Sequence, residues 1–318
     1  MLSTGVSLAT PHPTLGELAA RYGGHVDEGA GALIVRRVAP LEHGEGPDLS
    51  PFTSRRQAGL ALRSESALLV AADLSALVAP GRRWIHPHAS FALAAILAEL
   101  ERPPEGRVSP QAFIDPAAEV APGVTVGPFA VIMDGVVIGS GSVIGPHAVI
   151  YPRVRIGARV VIGASAVIGR PGFGWASGPG HAVRRIPQLG GVVVEDDVEI
   201  GPLATVDAGT LSPTLLRRGT RLDAHVHVGH NAKLGPEAMV AAQSGFAGSV
   251  DIGPFVRVGG QAGIADHVRV GEGAHIAAKA GVIGDVAPLR VVAGYPAVDR
   301  GRWLRGMARL LRRENKSK

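Results

Sequence analysis

The sequence predicts a mainly β protein, a solenoid of short strands wound into triangular coils and preceded by a small α/β domain. Three observations carry that expectation. The first is a period of six. From Ile114 an aliphatic residue recurs without exception at Val120, Val126, Ile132, Ile138, Ile144, Ile150, Ile156, Ile162 and Ile168. The register resumes at Val194, Ile200 and Val206, and after a four-residue offset it runs from Leu216 through Val228, Val240, Phe246 and Ile264 to Val282. The second is that glycine often follows the aliphatic residue, as at Gly139, Gly145, Gly157, Gly163, Gly201, Gly235 and Gly271. The third is composition: 44 glycines beside 4% aromatic residues suit a tightly turned β fold better than an ordinary globular core.

A period of six is neither helical nor the plain alternation of an open sheet. It fits a short strand and a tight corner, with one aliphatic side chain per strand pointing into a narrow core. Alternate strand residues share a face, so Ala130, Ala148, Ala166 and Ala238, two places earlier, share that core. Glycine is expected to supply the corner conformations. Three strands close one coil, and coils stack at about 4.8 Å.

Residues 1–108 lack the repeat. There TLGELAARYGG reads as an amphipathic helix, SALLVAA as a buried strand and SFALAAILAEL as a second helix, which together predict a small α/β domain. ERPPEGRVSP links it to the coils, 109–297. The segment 170–190, RPGFGWASGPGHAVRRIPQLG, is expected to leave the solenoid as a functional loop. Residues 298–318 read as a basic helix, with Trp303, Leu304, Met307, Leu310 and Leu311 on one apolar face.

Several classes are excluded. The absence of cysteine removes disulfides, thiolate metal sites and a cysteine nucleophile. No apolar run reaches the length of a membrane span, and MLSTGVSLATPHP lacks the pattern of a signal peptide, so a cytoplasmic protein is expected. The basic residues are not interleaved with stacking aromatics, so nucleic acid is not an expected partner.

The chemistry is sought among the histidines of DAHVHVGHN. Val226 and Val228 point inward in the repeat, so His225 and His227 point outward, where a surface or subunit-contact role is expected. Three histidines invite a metal reading, as in a carbonic anhydrase-like solenoid. HxHxxH has no recognised ligand spacing, however, and no metal is expected. His230 lies two places past Val228. Gly248 holds the same place one coil later, and His267 lies on nearly the same edge two coils later. A general base beside a backbone N–H donor is what acyl transfer requires, because the base takes the nucleophile's proton and the N–H steadies the oxyanion.

These residues carry a resemblance. VHVGHNAKLG followed by AAQSGFAGSVDIG resembles the core motif of the UDP-3-O-acylglucosamine N-acyltransferases of lipid A biosynthesis. FGWA, RIPQLGGVVVEDDVEIG and ATVDAGTL resemble that family's loop and its return to the repeat, and the N-terminal domain has the family's order of elements. The similarity runs from about Thr14 to about Ala297. It implies a left-handed parallel β-helix, a homotrimer, and transfer of a 3-hydroxyacyl chain from acyl carrier protein to the 2-amine of a UDP-amino sugar. By position it makes His230 the base, Asp223 the carboxylate that orients it, Gly248 the oxyanion donor and His267 a second active-site histidine.

The resemblance also implies that Phe173, Trp175 and Gln243 contact substrate, and that Gly281 lies where the acyl groove is limited, a small residue there suggesting a longer chain. No cofactor is expected to be permanently bound, since 4′-phosphopantetheine arrives on the carrier protein. Arg302, Arg305, Arg309 and Arg312 are candidates for docking that acidic partner. In the uridine-binding stretch the sequence departs from the family, reading LSPFTSRRQAG. Phe52 is left there as the candidate stacking ring, and Arg55 and Arg56 as candidates for the diphosphate. A different UDP-amino sugar therefore stays open, as does a coenzyme A-dependent acetyltransferase.

Overall fold

The structure, a computed structural model, describes residues 5–101 and 104–314, with side chains as far as 310. The chain divides between the two prolines of the linker into compact units, Met1–Pro103 and Pro104–Lys318, and the C-terminal helix belongs to the second.

In the first unit TLGELAARYGG forms the helix Leu15–Tyr22. Its start is fixed by a capping box: Glu17 N–H donates to Thr14 Oγ1 (3.2 Å) and Thr14 N–H donates to Glu17 Oε2 (2.7 Å). SALLVAA supplies the strand Ala67–Ala71 at the middle of a six-stranded sheet, and SFALAAILAEL supplies the helix Ala89–Ala98. Because strand residues alternate, Ala67 and Leu69 join one apolar cluster while Leu68 and Val70 join another. Phe52 belongs to the second cluster, packed with Leu41, Leu68 and Val70, and is 0% exposed. An ion pair closes the sheet's edge: Arg83 Nε lies 2.9 Å from Asp27 Oδ2. The Arg83 hydrogen bonds, outweighing the cost of burial, hold the Asp27 carboxyl down at about 2.

The second unit is a parallel β-helix. Its strands form three sheets of nine, eight and ten strands, and these are the faces of a triangular prism. The first face carries Ile132, Ile150, Ile168, Val206, Val228, Phe246 and Ile264 in register. The second carries Ile138, Ile156, Val194 and Leu216, and the third Ile144, Ile162, Ile200, Leu222 and Val240. From Val126 to Val282 every ladder residue is buried in one continuous core, with Ala130, Ala148, Ala166 and Ala238 beside them. Polar residues in that inner row satisfy themselves against the corners, as when Ser142 Oγ donates to the Gly157 carbonyl (2.9 Å).

Glycine supplies some of the corners, as at Gly135 (φ 63°) and Gly141 (φ 69°), but the glycines that directly follow the aliphatic residue do a different job. The left-handed corner residue sits three places past the aliphatic one and is often not glycine: His147 (φ 59°), His225 (φ 59°), Asn231 (φ 60°), Ser249 (φ 61°) and His267 (φ 59°) all adopt it. The glycine just after the aliphatic residue has ordinary φ and is required by close approach. A Cβ on Gly139 would lie 2.5 Å from the Gly157 carbonyl carbon of the next coil.

The ladder is interrupted twice, both times at the edge between the first and second faces. The strand Val167–Pro171 leads into the loop 170–190, whose tip is a hairpin of Trp175–Ser177 with Val183–Arg185. The strand Thr205–Ala208 leads into the short excursion that causes the four-residue offset. At the far end Val291–Ala293 turns back through Tyr295 and Pro296 to Val298–Asp299, and the helix Arg300–Glu314 follows. Trp303 packs against Gly294, where no side chain would fit beside it. Leu304, Met307 and Leu310 are exposed. Among the described residues no helix is long and apolar enough to cross a membrane.

Candidate active site

His230 stands at the first–second edge, directly beyond the two interruptions. Gly248 is stacked on it as the phase of the ladder predicts. Ser249 N–H donates to the His230 carbonyl (2.8 Å), and His267 N–H donates to the Gly248 carbonyl (3.1 Å). A Cβ on Gly248 would lie 2.6 Å from His230 Cε1 and 2.7 Å from Nε2, so the imidazole rests where only glycine leaves room. Among the described residues the Gly248 N–H finds no hydrogen-bond acceptor. Other residues at this corner position share that freedom; what distinguishes Gly248 is the imidazole beside it.

The tautomer of His230 follows from its neighbour. Thr210 N–H donates to Asn231 Oδ1 (3.0 Å), and Asn231 Nδ2 donates to the Ser212 carbonyl (3.0 Å). Backbone groups cannot exchange roles, so the amide is locked with Oδ1 as an acceptor. In the neutral ring His230 Nδ1, 3.2 Å from that oxygen, is therefore the nitrogen that carries the proton, which leaves the lone pair on Nε2 over Gly248. Thr210 and Ser212 belong to the four-residue excursion, so the irregularity in the repeat is what orients the histidine.

The cleft beside His230 has a volume of about 320 Å³ and is walled by Phe173, Asp207, His227, Gly229, Gly245 and Gly248. The root of the long loop closes one side. Gly172 lies against His230, where a Cβ would stand 2.8 Å from His230 Cβ, and Phe173 reaches into the opening. Beneath the loop Asp207 is 1% exposed. Arg170 Nε lies 3.0 Å from its Oδ1, and His227 Nε2 3.9 Å from its Oδ2. Burial pushes the Asp207 carboxyl up, against the pull of Arg170, His227 and His230. His227 is held on its other side, its Nδ1 being 2.7 Å from Thr205 Oγ1.

Beyond His227 the outer surface of the first face changes. Valines at 131, 149 and 167 give way to Thr205 and His227, and then to Gly245, Gly263 and Gly281 in register. A Cβ on Gly245 or Gly263 would meet nothing within 4 Å, so a bare trough leads away from the cleft along the axis. At Gly281 the Tyr295 ring fills the space in front of the backbone.

Several expectations change. Asp223 does not reach His230 within the chain. It sits at the third–first edge, where its carboxylate accepts from Ala224 N–H (2.7 Å) and Ala242 N–H (3.2 Å). The contacts to His230 that were expected of it come from Asn231, and the nearby carboxylate is Asp207. Gln243 also lies on the Asp223 edge, where Gln261 Nε2 donates to its Oε1 (2.6 Å). Phe52 has no face free to stack on a base because the first unit's core encloses it, whereas Arg55 and Arg56 are exposed. The smallness of Gly281 does not open a longer groove, since Tyr295 takes the room. Trp175 and His267 are exposed and outside the walls of the cleft, whereas His227, expected at a surface contact, is one of those walls. His225, His227 and His230 are spread over two edges and the face between them. Arg302, Arg305 and Arg309 are exposed on the terminal helix; Arg312 lies outside the residues whose side chains are described.

The sequence reading missed Asp207, Asn231 and Arg170. Asn231 directly follows the histidine in GHN, and Asp207 sits in ATVDAGTL one place past Val206, which pairs with Val228 on the same face. Both signals were visible, but without the path of the loop nothing brought them together.

A parallel β-helix of six-residue repeats with a histidine and a bare glycine amide on one edge defines a hexapeptide-type acyltransferase. The model of the bacterial transferase hexapeptide (six repeats) matches residues 117–151 and 135–170. The chain is 42% identical to a UDP-3-O-acylglucosamine N-acyltransferase of Anaeromyxobacter sp. (strain Fw109-5), covering 95% of this chain and 94% of that one. It is 38% identical to the enzyme of the same name from Anaeromyxobacter dehalogenans (strain 2CP-C), over 93% and 91% of the two chains. The chain belongs to the UDP-3-O-acylglucosamine N-acyltransferase family and is an acyltransferase. Solved structures of the UDP-N-acetylglucosamine acyltransferases of Campylobacter jejuni (TM-score 0.55, 26% identity, 61% of this chain and 74% of that one) and Francisella novicida (TM-score 0.55, 28% identity, 59% and 67%) share the left-handed β-helix.

Proposed function

We propose that the chain moves a 3-hydroxyacyl group from the phosphopantetheine thioester of acyl carrier protein to the 2-amine of UDP-3-O-acylglucosamine. The observation that carries this reading is His230, its Nε2 lone pair set by Asn231 and stacked on Gly248. The amine nitrogen attacks the thioester carbonyl carbon while His230 Nε2 takes the proton it loses. The oxyanion that forms accepts a hydrogen bond from the Gly248 N–H. Collapse of the tetrahedral adduct breaks the C–S bond, and the departing sulfur takes the proton back from His230.

The acyl chain lies in the trough floored by Gly245 and Gly263 and ends against Tyr295. The Arg302, Arg305 and Arg309 side chains receive the acidic carrier protein, which delivers the only prosthetic arm the reaction uses. Both substrates are cytoplasmic in this reading. The working unit is a homotrimer, which brings the Asp223–Gln243 edge of one copy toward the cleft of another. Arg55 and Arg56 are the cationic groups of the first unit offered to a diphosphate.

The test is transfer from acyl carrier protein to UDP-3-O-acylglucosamine, with a second UDP-amino sugar run beside it because Phe52 is not available to stack on the base. His230→Ala should lower kcat by about 10³-fold with the folded assembly intact. Near-normal turnover by that variant sinks the proposed chemistry.

A further inference from the structure

Asp207 is an unusual group to find under a loop in this cleft. Its carboxylate is buried, yet Oδ1 accepts no hydrogen bond. Arg170 neutralises it, with Nε 3.0 Å from Oδ1, but that N–H is not aligned to donate, and the hydrogen bond that does form is a long one from Nη2 to Oδ2 (3.4 Å). His227 Nε2 is farther away, at 3.9 Å. A buried acceptor left without a donor is destabilising, so it persists where something other than stability holds it in place.

Asp207 lies between the root of the loop and the cleft. Asp207 forms part of the cleft wall with His227, His230 and Gly248. The strand Val167–Pro171 has a register shift at Gly169 (φ 86°), and this brings Arg170, not Gly169, opposite Asp207. Arg170 thus lies beside Oδ1 and holds the carboxylate as an anion, while Oδ2, held by one long hydrogen bond, is the oxygen nearer the cleft wall at His227. The complementary ligand group is one with N–H bonds to give and a partial or full positive charge.

We infer that Asp207 is a substrate-binding residue that accepts a hydrogen bond from the acceptor's amino nitrogen and holds it beside His230. This rests on the acyl-transfer reading above and adds to it the group that holds the amine in place. The division of labour is consistent chemically. Asp207 anchors one N–H of the nucleophile, His230 Nε2 removes the proton lost on attack, and the nitrogen lone pair is left for the carbonyl carbon. The carboxylate remains ionised throughout and gains no proton in the step.

The experiment compares two ligands on the intact protein by calorimetry: UDP-3-O-acylglucosamine, and the analogue with a hydrogen atom in place of the 2-amine. Wild-type protein should bind the amine at least about tenfold more tightly than the 2-deoxy analogue, since a charge-assisted hydrogen bond is worth that much. Asp207→Asn should bind both alike and lose turnover with the amine, while His230→Ala keeps the amine preference and loses only turnover. An Asp207→Asn protein that retains the amine preference overturns the inference. If that variant does not fold, equal affinity of the wild type for the two ligands overturns it instead. A wild type that binds both ligands but never acylates the amine would count against the acyl-transfer reading, a separate failure.

Discussion

Two edges of the prism carry histidines near their corners. At the third–first edge His147 and His225 adopt the left-handed corner conformation, and the latter is exposed among Asp223, Gln243 and Gln261. At the first–second edge His267 adopts it too and is exposed, whereas His230, one place before the left-handed Asn231, is partly enclosed. The six-residue repeat is the same at both edges. The difference lies in two departures from the repeat, one bringing Arg170, Gly172 and Phe173 over His230 and the other bringing Thr210 and Ser212 to Asn231. A regular solenoid supplies positions, and its irregularities supply environment. Exposed corner histidines are solvated groups, whereas a histidine with a locked neighbour, a covered carboxylate and a bare amide can act as a base.

Changes that spoil the enclosed edge should cost most. Gly248→Ala puts a methyl group within 2.7 Å of His230 Nε2 and must displace the ring. Its kcat should fall by roughly 10²-fold with little change in melting temperature, since Gly248 has ordinary φ. A variant with wild-type kcat would mean that the stacking of His230 on Gly248 has no part in turnover.

Next comes Tyr295→Ala, which empties the space before Gly281 and extends the trough. Preference should shift toward carrier-protein donors longer by two to four carbons, by roughly tenfold in kcat/KM. An unchanged chain-length profile would place the acyl chain elsewhere.

A smaller effect concerns stability. An acid whose pKa is raised on folding gives up stability as pH rises from its unfolded value, about 3.9, toward the raised folded one. Burial raises Asp207. Asp207→Asn should therefore melt close to wild type near pH 4 and roughly 2 °C higher at pH 7. A variant less stable than wild type at pH 7 would make Asp207 a structural group. Smallest of all, His225→Ala on the open edge should change kcat by less than about twofold, because no enclosure gives it a chemical task. A large loss there would erase the distinction between the two edges.

Much of this was legible in the sequence. The ladder from Ile114 to Val282 gave the coils, and its phase put His230 and Gly248 on one edge because strand pairing fixes which residues stack. Helix Leu15–Tyr22 was readable from Thr14 and Glu17, whose reciprocal bonds are local. What escaped depends on contacts between distant segments. Asp207 and Arg170 are far apart in the chain and meet only through the bulge at Gly169. Phe52 reads as a free aromatic ring until the strands around it enclose it. Gly281 reads as open space until the turn after Ala293 returns Tyr295 across it.

The paired interruptions have one more consequence. Twenty-six positions, not six, separate Ile168 from Val194, and ten separate Val206 from Leu216, yet each excursion begins on the first face and resumes on the second. Length has been added without turning the chain by a single step, so every later residue keeps its angular address. Deleting six residues between His230 and Gly248, by contrast, would rotate Gly248 a third of a turn and carry it away from His230, although every strand would still find an aliphatic partner. Such a protein should fold as a well-formed solenoid and be inert, its parts all present and its timing lost.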